Sequence, residues 1–229
     1  MLNKVFVGWD SRENVSFEVC RSSIEARNTS PHLLIAPLKQ KVLRASGVYS
    51  RPVDALASTE FSLTRFLVPF LSGYQGFALF VDCDFLFTED VNNLMKEIDP
   101  TKAVHVVQHD YQPRSGVKMD GKVQHLYPRK NWSSFILFNC GHPSNKLLTP
   151  ELVNTESPQF LHRFSWLKDD EIGALSHDWN YLVGWYNDRE MPKAIHFTEG
   201  GPWFAEHEDC DFAKLWLLEF FKMSRNLVH

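Results

Sequence analysis

Two carboxylates stand one residue apart in FVDCDFLF, residues 80–87. The run before them, Phe77, Ala78, Leu79, Phe80 and Val81, has the continuous apolar character of a strand buried on both faces, and Leu86 and Phe87 are apolar again. Asp82 and Asp84 therefore sit at the mouth of a buried strand. Held this close, two like charges oppose each other's ionisation unless a cation offsets them, and a divalent metal is such a cation. Oxygen ligands suit hard ions such as Mg2+ and Mn2+, and carboxylates commonly share such an ion with the phosphates of a substrate. The chemistry expected of the pair is metal-assisted transfer with a diphosphate leaving group. The plainer reading is that both Asp cap the turn ahead of Thr88–Asp90, since Asp is a favoured cap and turn residue.

The elements that must hold this pair alternate between strand and helix, the signature of an α/β sheet. Residues 4–9 form the first expected strand and residues 12–27 a helix with Phe17, Cys20 and Ile24 at helical spacing. Residues 33–36 form a short second strand, after which Pro37, Gly47 and Pro52 mark a connecting region. A helix is expected from Thr59, with Phe61, Leu63, Phe66, Leu67 and Phe70 as its apolar face and Pro69 kinking its last turn. Beyond the Asp pair come a helix at 92–97, a strand at 103–108, and a polar stretch at 109–130. In that stretch Gly116 and Gly121 permit tight turns, as in a functional loop or small hairpin. A strand at 133–139, short helices near Thr149 and Pro158, a strand at 194–197 and an amphipathic helix at 212–223 complete the pattern. Parallel α/β sheets bind ligands at the carboxyl ends of their strands, so Asp10, after KVFVGW, and the Asp82/Asp84 pair are expected on one rim.

Composition narrows the classes. With 229 residues, 44% hydrophobic and 14% aromatic, the chain is expected to form one domain over residues 1–229. The net charge of −4 arises from 24 basic and 28 acidic residues that are interspersed, which leaves no footprint for nucleic acid. Cys20, Cys83, Cys140 and Cys210 are scattered without a CxxC, as suits reduced thiols in the cytoplasm. MLNKVFVGWD enters a strand pattern at once, and no apolar stretch reaches spanning length, so neither a signal peptide nor a membrane span is expected.

Taken in chain order, the polar positions resemble glycosyltransferase family 8, the glycogenin and bacterial galactosyltransferase group, on a GT-A fold. The points of likeness are VGWD after the first strand, Arg65 in TRFLVPFL, the DCD itself, SSFILFN ending in Asn139, DDEI at 169–172, and HFTEGGPW at 196–203. They run from Val7 to Trp203 and so cover most of the chain. The resemblance implies a Rossmann-like, mixed and mostly parallel sheet flanked by helices, and a transferase that moves a sugar from a nucleotide-sugar donor, a UDP-sugar first, to a glycan or other hydroxyl acceptor. It implies retention of anomeric configuration, by same-face attack or by double displacement. Asp82, Asp84 and His196 are the implied metal ligands, with Mn2+ favoured over Mg2+ because imidazole suits it better. Gly8, Asp10, Arg65, Asn139, Gly200 and Gly201, together with the Asp pair, are the implied donor-binding residues, and Asp169 and Asp170 the implied catalytic ones. The sequence departs from the family where Gly201 replaces a phosphate-binding Lys, which makes Lys118, Arg129 and Lys130 candidates for that contact.

Each residue also has a plainer part to play. His196 alone is a hydrogen-bonded structural histidine, Arg65 an ion-pair residue, and KDDE, residues 168–171, a solvated helix start favoured by the helix dipole. Trp179 and Trp203 are core aromatics or sugar-stacking platforms. His105, His109 and His125 have no metal spacing among themselves. Three rivals remain. A haloacid-dehalogenase-type phosphatase also uses DxD after an apolar strand, but near the N-terminus and with a different following residue. A nucleotidyltransferase calls for a Gly-rich basic loop that WDSRENVS lacks. The third is a nucleotide-sugar or glycan-binding module without catalysis.

Overall fold

The computed structural model describes residues 1–53, 58–109, 129, 131–186 and 190–226. Its first half contains β1 (Leu2–Gly8), α1 (Asn14–Arg27), β2 (Leu34–Leu38), α2 (Gln40–Ala45), α3 (Val68–Leu71) and β3 (Phe77–Val81). Then come β4 (Phe85–Phe87), β5 (Val104–Val107), β6 (Phe135–Asn139), α4 (Pro150–Thr155) and α5 (Pro158–His162). The last described elements are β7 (Ile172–Leu175), β8 (Tyr181–Leu182), β9 (Ala194–His196) and α6 (Ala213–Asn226).

Six strands form the main sheet in the order β2-β1-β3-β6-β5-β7. β1 runs parallel to β2 and β3, and β5 parallel to β7, while β6 is antiparallel to both of its neighbours. Five strands therefore end on one rim, and β6 begins there. This is the α/β sheet that the apolar runs predicted, with the mixed, mostly parallel strand directions that the resemblance implied. Phe80, Val81, Phe135 and Leu137 are fully buried, as central strands covered on both faces require. Pro37 lies inside β2, a position open to proline because β2 is an edge strand and one side needs no N–H donor. A second, three-stranded sheet, β4-β9-β8, stands at the rim.

The helix expected from Thr59 does not form as one element. Thr64–Leu67 is a 3-10 turn, and Pro69 sits in the first turn of the four-residue α3 rather than kinking its end. Proline lacks an N–H and fits where that donor has no helical partner. Upstream of the turn, Phe61 is drawn over β1, where a Cβ on Gly8 would fall 2.6 Å from its ring. That approach explains the glycine at the end of β1.

Buried His105 on β5 links this packing to acid stability. Its Nε2 accepts the Asp99 N–H at 3.0 Å, and burial lowers its pKa to about 4. The unfolded chain takes up that proton near the ordinary value of 6.5 and the native fold only near 4. Its contribution is therefore complete above pH 6.5 and drains away as pH falls toward 4, by about 3 kcal/mol. Urea melts of wild type and His105→Gln at pH 7 and pH 4.5 should show the smaller acid loss in the variant.

Candidate metal centre

β3 and β4 are separated by three residues, Asp82, Cys83 and Asp84, so the end of one sheet and the start of the other fix the carboxylates. β9 supplies the third group. It pairs antiparallel with β4 so that Phe85 faces His196, and the Phe197 N–H donates to the Asp84 carbonyl at 3.0 Å. The Phe85 ring stacks on the imidazole with centroids 4.3 Å apart. A one-residue slip would turn His196 to the other face of its sheet, so this register decides whether the site exists. One ligand atom from each of Asp82, Asp84 and His196 lies within 4.8 Å of the others, the grouping that the likeness implied.

Hydrogen bonding sets the state of the imidazole. Buried Asn180 donates from Nδ2 to Ser134 Oγ at 3.0 Å and to the Asn131 carbonyl at 3.4 Å. A carbonyl only accepts, so Asn180 Oδ1 is the atom that faces His196 Nδ1 at 2.8 Å, and Nδ1 carries the proton. In the neutral ring Nε2 is then the acceptor, 3.3 Å from Asp84 Oδ2. Two acceptors at that distance need a cation or a proton between them. Asp84 Oδ1 is also buried without a hydrogen-bond partner. This donor set fits a divalent ion, with Asn180 orienting the nitrogen ligand from behind. Asn180→Leu should weaken Mn2+ binding by about 10–100-fold in a calorimetric titration. Wild-type affinity would reduce Asn180 to a packing residue.

The surrounding charges are unbalanced toward the negative. Burial pushes the Asp82 carboxyl up to about 7, with Asp84 adding to the rise and Arg65 opposing it. Arg65 Nη1 lies 2.8 Å from Asp82 Oδ1 and also donates to the Ser133 carbonyl at 2.6 Å, so Arg65 braces the first carboxylate. Glu13, just before α1, is likewise raised to about 7 by burial and by the neighbouring charges of Asp84 and Asp10. Asp10 is paired with Arg12, but Asp82, Asp84 and Glu13 share this rim with the single buried guanidinium of Arg65, and the field favours a cation there.

The other expected site residues divide by topology. Asp10 is on the rim, but its four acceptor positions are occupied: Oδ1 by Arg12 N and Nε, Oδ2 by Arg12 Nη2 and Glu60 N. These bonds tie the start of α1 to residue 60 and hold the carboxyl below its ordinary range despite burial. Gly200 adopts φ +117°, and Gly201 lies under the Trp203 ring, where a Cβ would fall 2.7 Å from one ring carbon. Glycine at 201 is thus also a packing requirement.

Asn139 is not brought to the rim. β6 runs antiparallel to β3, so Asn139 pairs with Phe77 at the start of β3 and donates to the Pro100 carbonyl. Asp169 and Asp170 are not there either. They precede β7, whose Ile172 faces Val104 at the start of β5, and both strands run toward the rim from that opposite edge. Asp169 pairs with Arg129, and the Asp170 carbonyl accepts from Lys102 Nζ. Arg129 is therefore engaged, while Lys118, Lys130, Gly116, Gly121 and His125 lie outside the described residues. Trp179 is a buried core residue that donates to Glu97, and Trp203 packs against Phe197 and Trp216.

Two further residues stand at the rim, Asn180, which the sequence did not single out, and His109, which it offered only as a strand or loop residue. Asn180 belongs to the segment after β7 that delivers it behind His196. His109, two residues past β5, is buried with Nδ1 2.7 Å from Tyr186 Oη and with Nε2 unpartnered. Burial first, then the nearby His196 and His177, lower its pKa to about 3, so the ring is neutral. A polar residue directly after a strand that ends on the binding rim was the available signal.

No known protein-family model matches the chain. Among solved structures, the glycosyltransferase GlyE of Streptococcus pneumoniae TIGR4 superposes with TM-score 0.64 at 14% identity, over 96% of this chain and 60% of GlyE. The galactosyltransferase LgtC, solved with donor and acceptor sugar analogues, superposes with TM-score 0.56 at 11% identity, over 96% of this chain and 95% of LgtC. At such identities the likeness establishes the GT-A fold. Protein CDI of Arabidopsis thaliana is 52% identical over 221 residues, which are 94% of this chain and 85% of that protein. A likeness of that extent makes this chain a member of the Protein CDI family, built on the GT-A fold.

Proposed function

We propose that this protein is a metal-dependent glycosyltransferase related to family 8, transferring a sugar from a nucleotide-sugar, preferentially a UDP-sugar, to a hydroxyl acceptor with retention. The observation that carries the reading is the pair of facing acceptors, His196 Nε2 and Asp84 Oδ2, 3.3 Å apart beside the Arg65-braced Asp82. These three side chains would hold Mn2+ or Mg2+. When bound, that ion supplies Lewis-acid neutralisation of the charge that builds on the departing diphosphate. Arg65 fixes Asp82 and opposes the rise in its pKa, and the Asn180 amide holds the His196 ring in its ligand tautomer. Gly201, five residues past His196, is the segment's candidate backbone N–H donor to a phosphate oxygen, since the Gly200 N–H is given to the Phe197 carbonyl at 2.8 Å. Gly8 and Asp10 serve by shaping the loop into α1, whose amino terminus starts at this rim and favours an anionic ligand. On the β5 side, His109 Nε2 is left for a substrate hydroxyl. Same-face attack is the favoured route to retention. That route does not call on Asp169 or Asp170.

The test is a panel of nucleotide sugars incubated with the protein and Mn2+, with and without hydroxyl acceptors, following nucleoside diphosphate. Release that requires the metal and is accelerated by an acceptor supports the assignment. Phosphate release from phosphomonoesters would favour the phosphatase, and metal-dependent binding without turnover would favour a binding module.

A further inference from the structure

Among the described residues, nothing covers one face of α6. At 100° per residue, Ala213, Trp216 and Glu219 point inward and are nearly fully buried, and Trp216 belongs to the apolar cluster that includes Val19 of α1. Leu217, Leu218 and Phe221 point the other way, 37%, 50% and 59% exposed. Lys214, Lys222 and Arg225 are exposed on that same half. Glu219, the sole acid of the helix sequence, is on the buried side and paired with Arg27 at 3.1 Å. The outer half therefore presents three large apolar side chains and three cations with no anion among them. An ordinary solvated face mixes signs, as α1 does where Arg21 pairs with Glu18 and Glu25.

We infer that α6 docks this protein on an anionic lipid surface, with Leu217, Leu218 and Phe221 entering the headgroup boundary and the three cations meeting the phosphates. Apolar residues flanked by Lys and Arg on one helix face are what an interfacial helix requires. A second copy of the chain is the poorer occupant, because two such faces in symmetric contact would set cation against cation. Nucleic acid would use the cations and leave the apolar centre unmatched. Glu206, Glu208, Asp209 and Asp211 precede the helix and repel the same surface, so its carboxyl-terminal end, with Phe221, Lys222 and Arg225, lies nearest the lipid. The helix lies on the membrane: no helix among the described residues is long and apolar enough to cross one. The inference does not depend on the transferase assignment.

Co-sedimentation of the full chain with vesicles tests it. Vesicles of phosphatidylcholine mixed with phosphatidylserine should carry the protein down, phosphatidylcholine alone should not, and high salt should release it. Lys222→Ala and Arg225→Ala should each reduce the bound fraction's partition coefficient about fivefold. Leu218→Ser combined with Phe221→Ser should lower it further with an unchanged melting temperature, both side chains being exposed. Equal pelleting with neutral vesicles, or none with either, overturns the inference. So does a concentration-dependent dimer that the Leu218/Phe221 variant abolishes, which would give this face to a second copy.

Discussion

Asp84→Asn should lower sugar transfer by about three orders of magnitude while leaving the metal-free protein as stable as wild type or slightly more so. Asparagine keeps the size and one carbonyl oxygen of the carboxylate and removes only its charge. In the fold that charge has a buried, unpartnered Oδ1, and it helps to push both Asp82 and Glu13 up to about 7. Removing an uncompensated buried charge relieves repulsion, so function is lost and stability is not. Millimolar Mn2+ should raise the melting temperature of wild type and have little effect on the variant, since a ligand stabilises only the state that binds it. If Asp84 were merely a turn cap, the same substitution would lower stability and spare turnover. Melts with and without Mn2+, alongside the transfer assay, separate the two.

Gly173→Ala should be the most damaging small change away from the site, costing about 3 kcal/mol, or roughly 6–12 °C in melting temperature. β7 sets Gly173 directly beside His105 of β5, and the imidazole lies across the space where a side chain would stand. A Cβ there would fall 2.6 Å from His105 Nε2 and closer still to Cδ2. The ring must move, and the 3.0 Å bond from Asp99 N–H to Nε2 breaks with it. His105→Ala in the same chain should recover part of the loss, because the two residues share one volume. Turnover of the folded fraction should be unchanged, which sets this variant apart from Asp84→Asn. A thermal melt within 2 °C of wild type, about the value of a sub-kcal effect, would contradict the packing account.

The sheet was legible because its central strands are covered on both faces and therefore carry uninterrupted apolar runs, as in Phe77–Val81 and Phe135–Asn139. The direction of a strand is not written in hydrophobicity. β6 runs backwards, and that reversal carries Asn139 away from the rim to which a parallel strand would have delivered it. The same blindness misplaced Asp169 and Asp170. Their acidic run was legible, but the strand after them, β7, is four residues long, and its far end leads to the site. Strands as short as β4 and β8 show no periodicity, so the small sheet that sets His196 against Asp84 was invisible even though both of those residues were identified. The Asp pair was found because charge at the end of an apolar segment is conspicuous, and Arg65 and His196 through the resemblance to family 8. Asn180 was missed because a polar residue in a polar segment is not conspicuous, and His109 was set aside because it has no metal spacing with the other histidines.

A crystal grown with Mn2+ and UDP, with diffraction recorded at the manganese absorption edge, bears most directly on the central claim. One anomalous peak is expected, bounded by the carboxylates of Asp82 and Asp84 and by Nε2 of His196, with the diphosphate on its open side. An ion held elsewhere, or His196 turned from the Asp pair with Nε2 bound to another group, would contradict that claim.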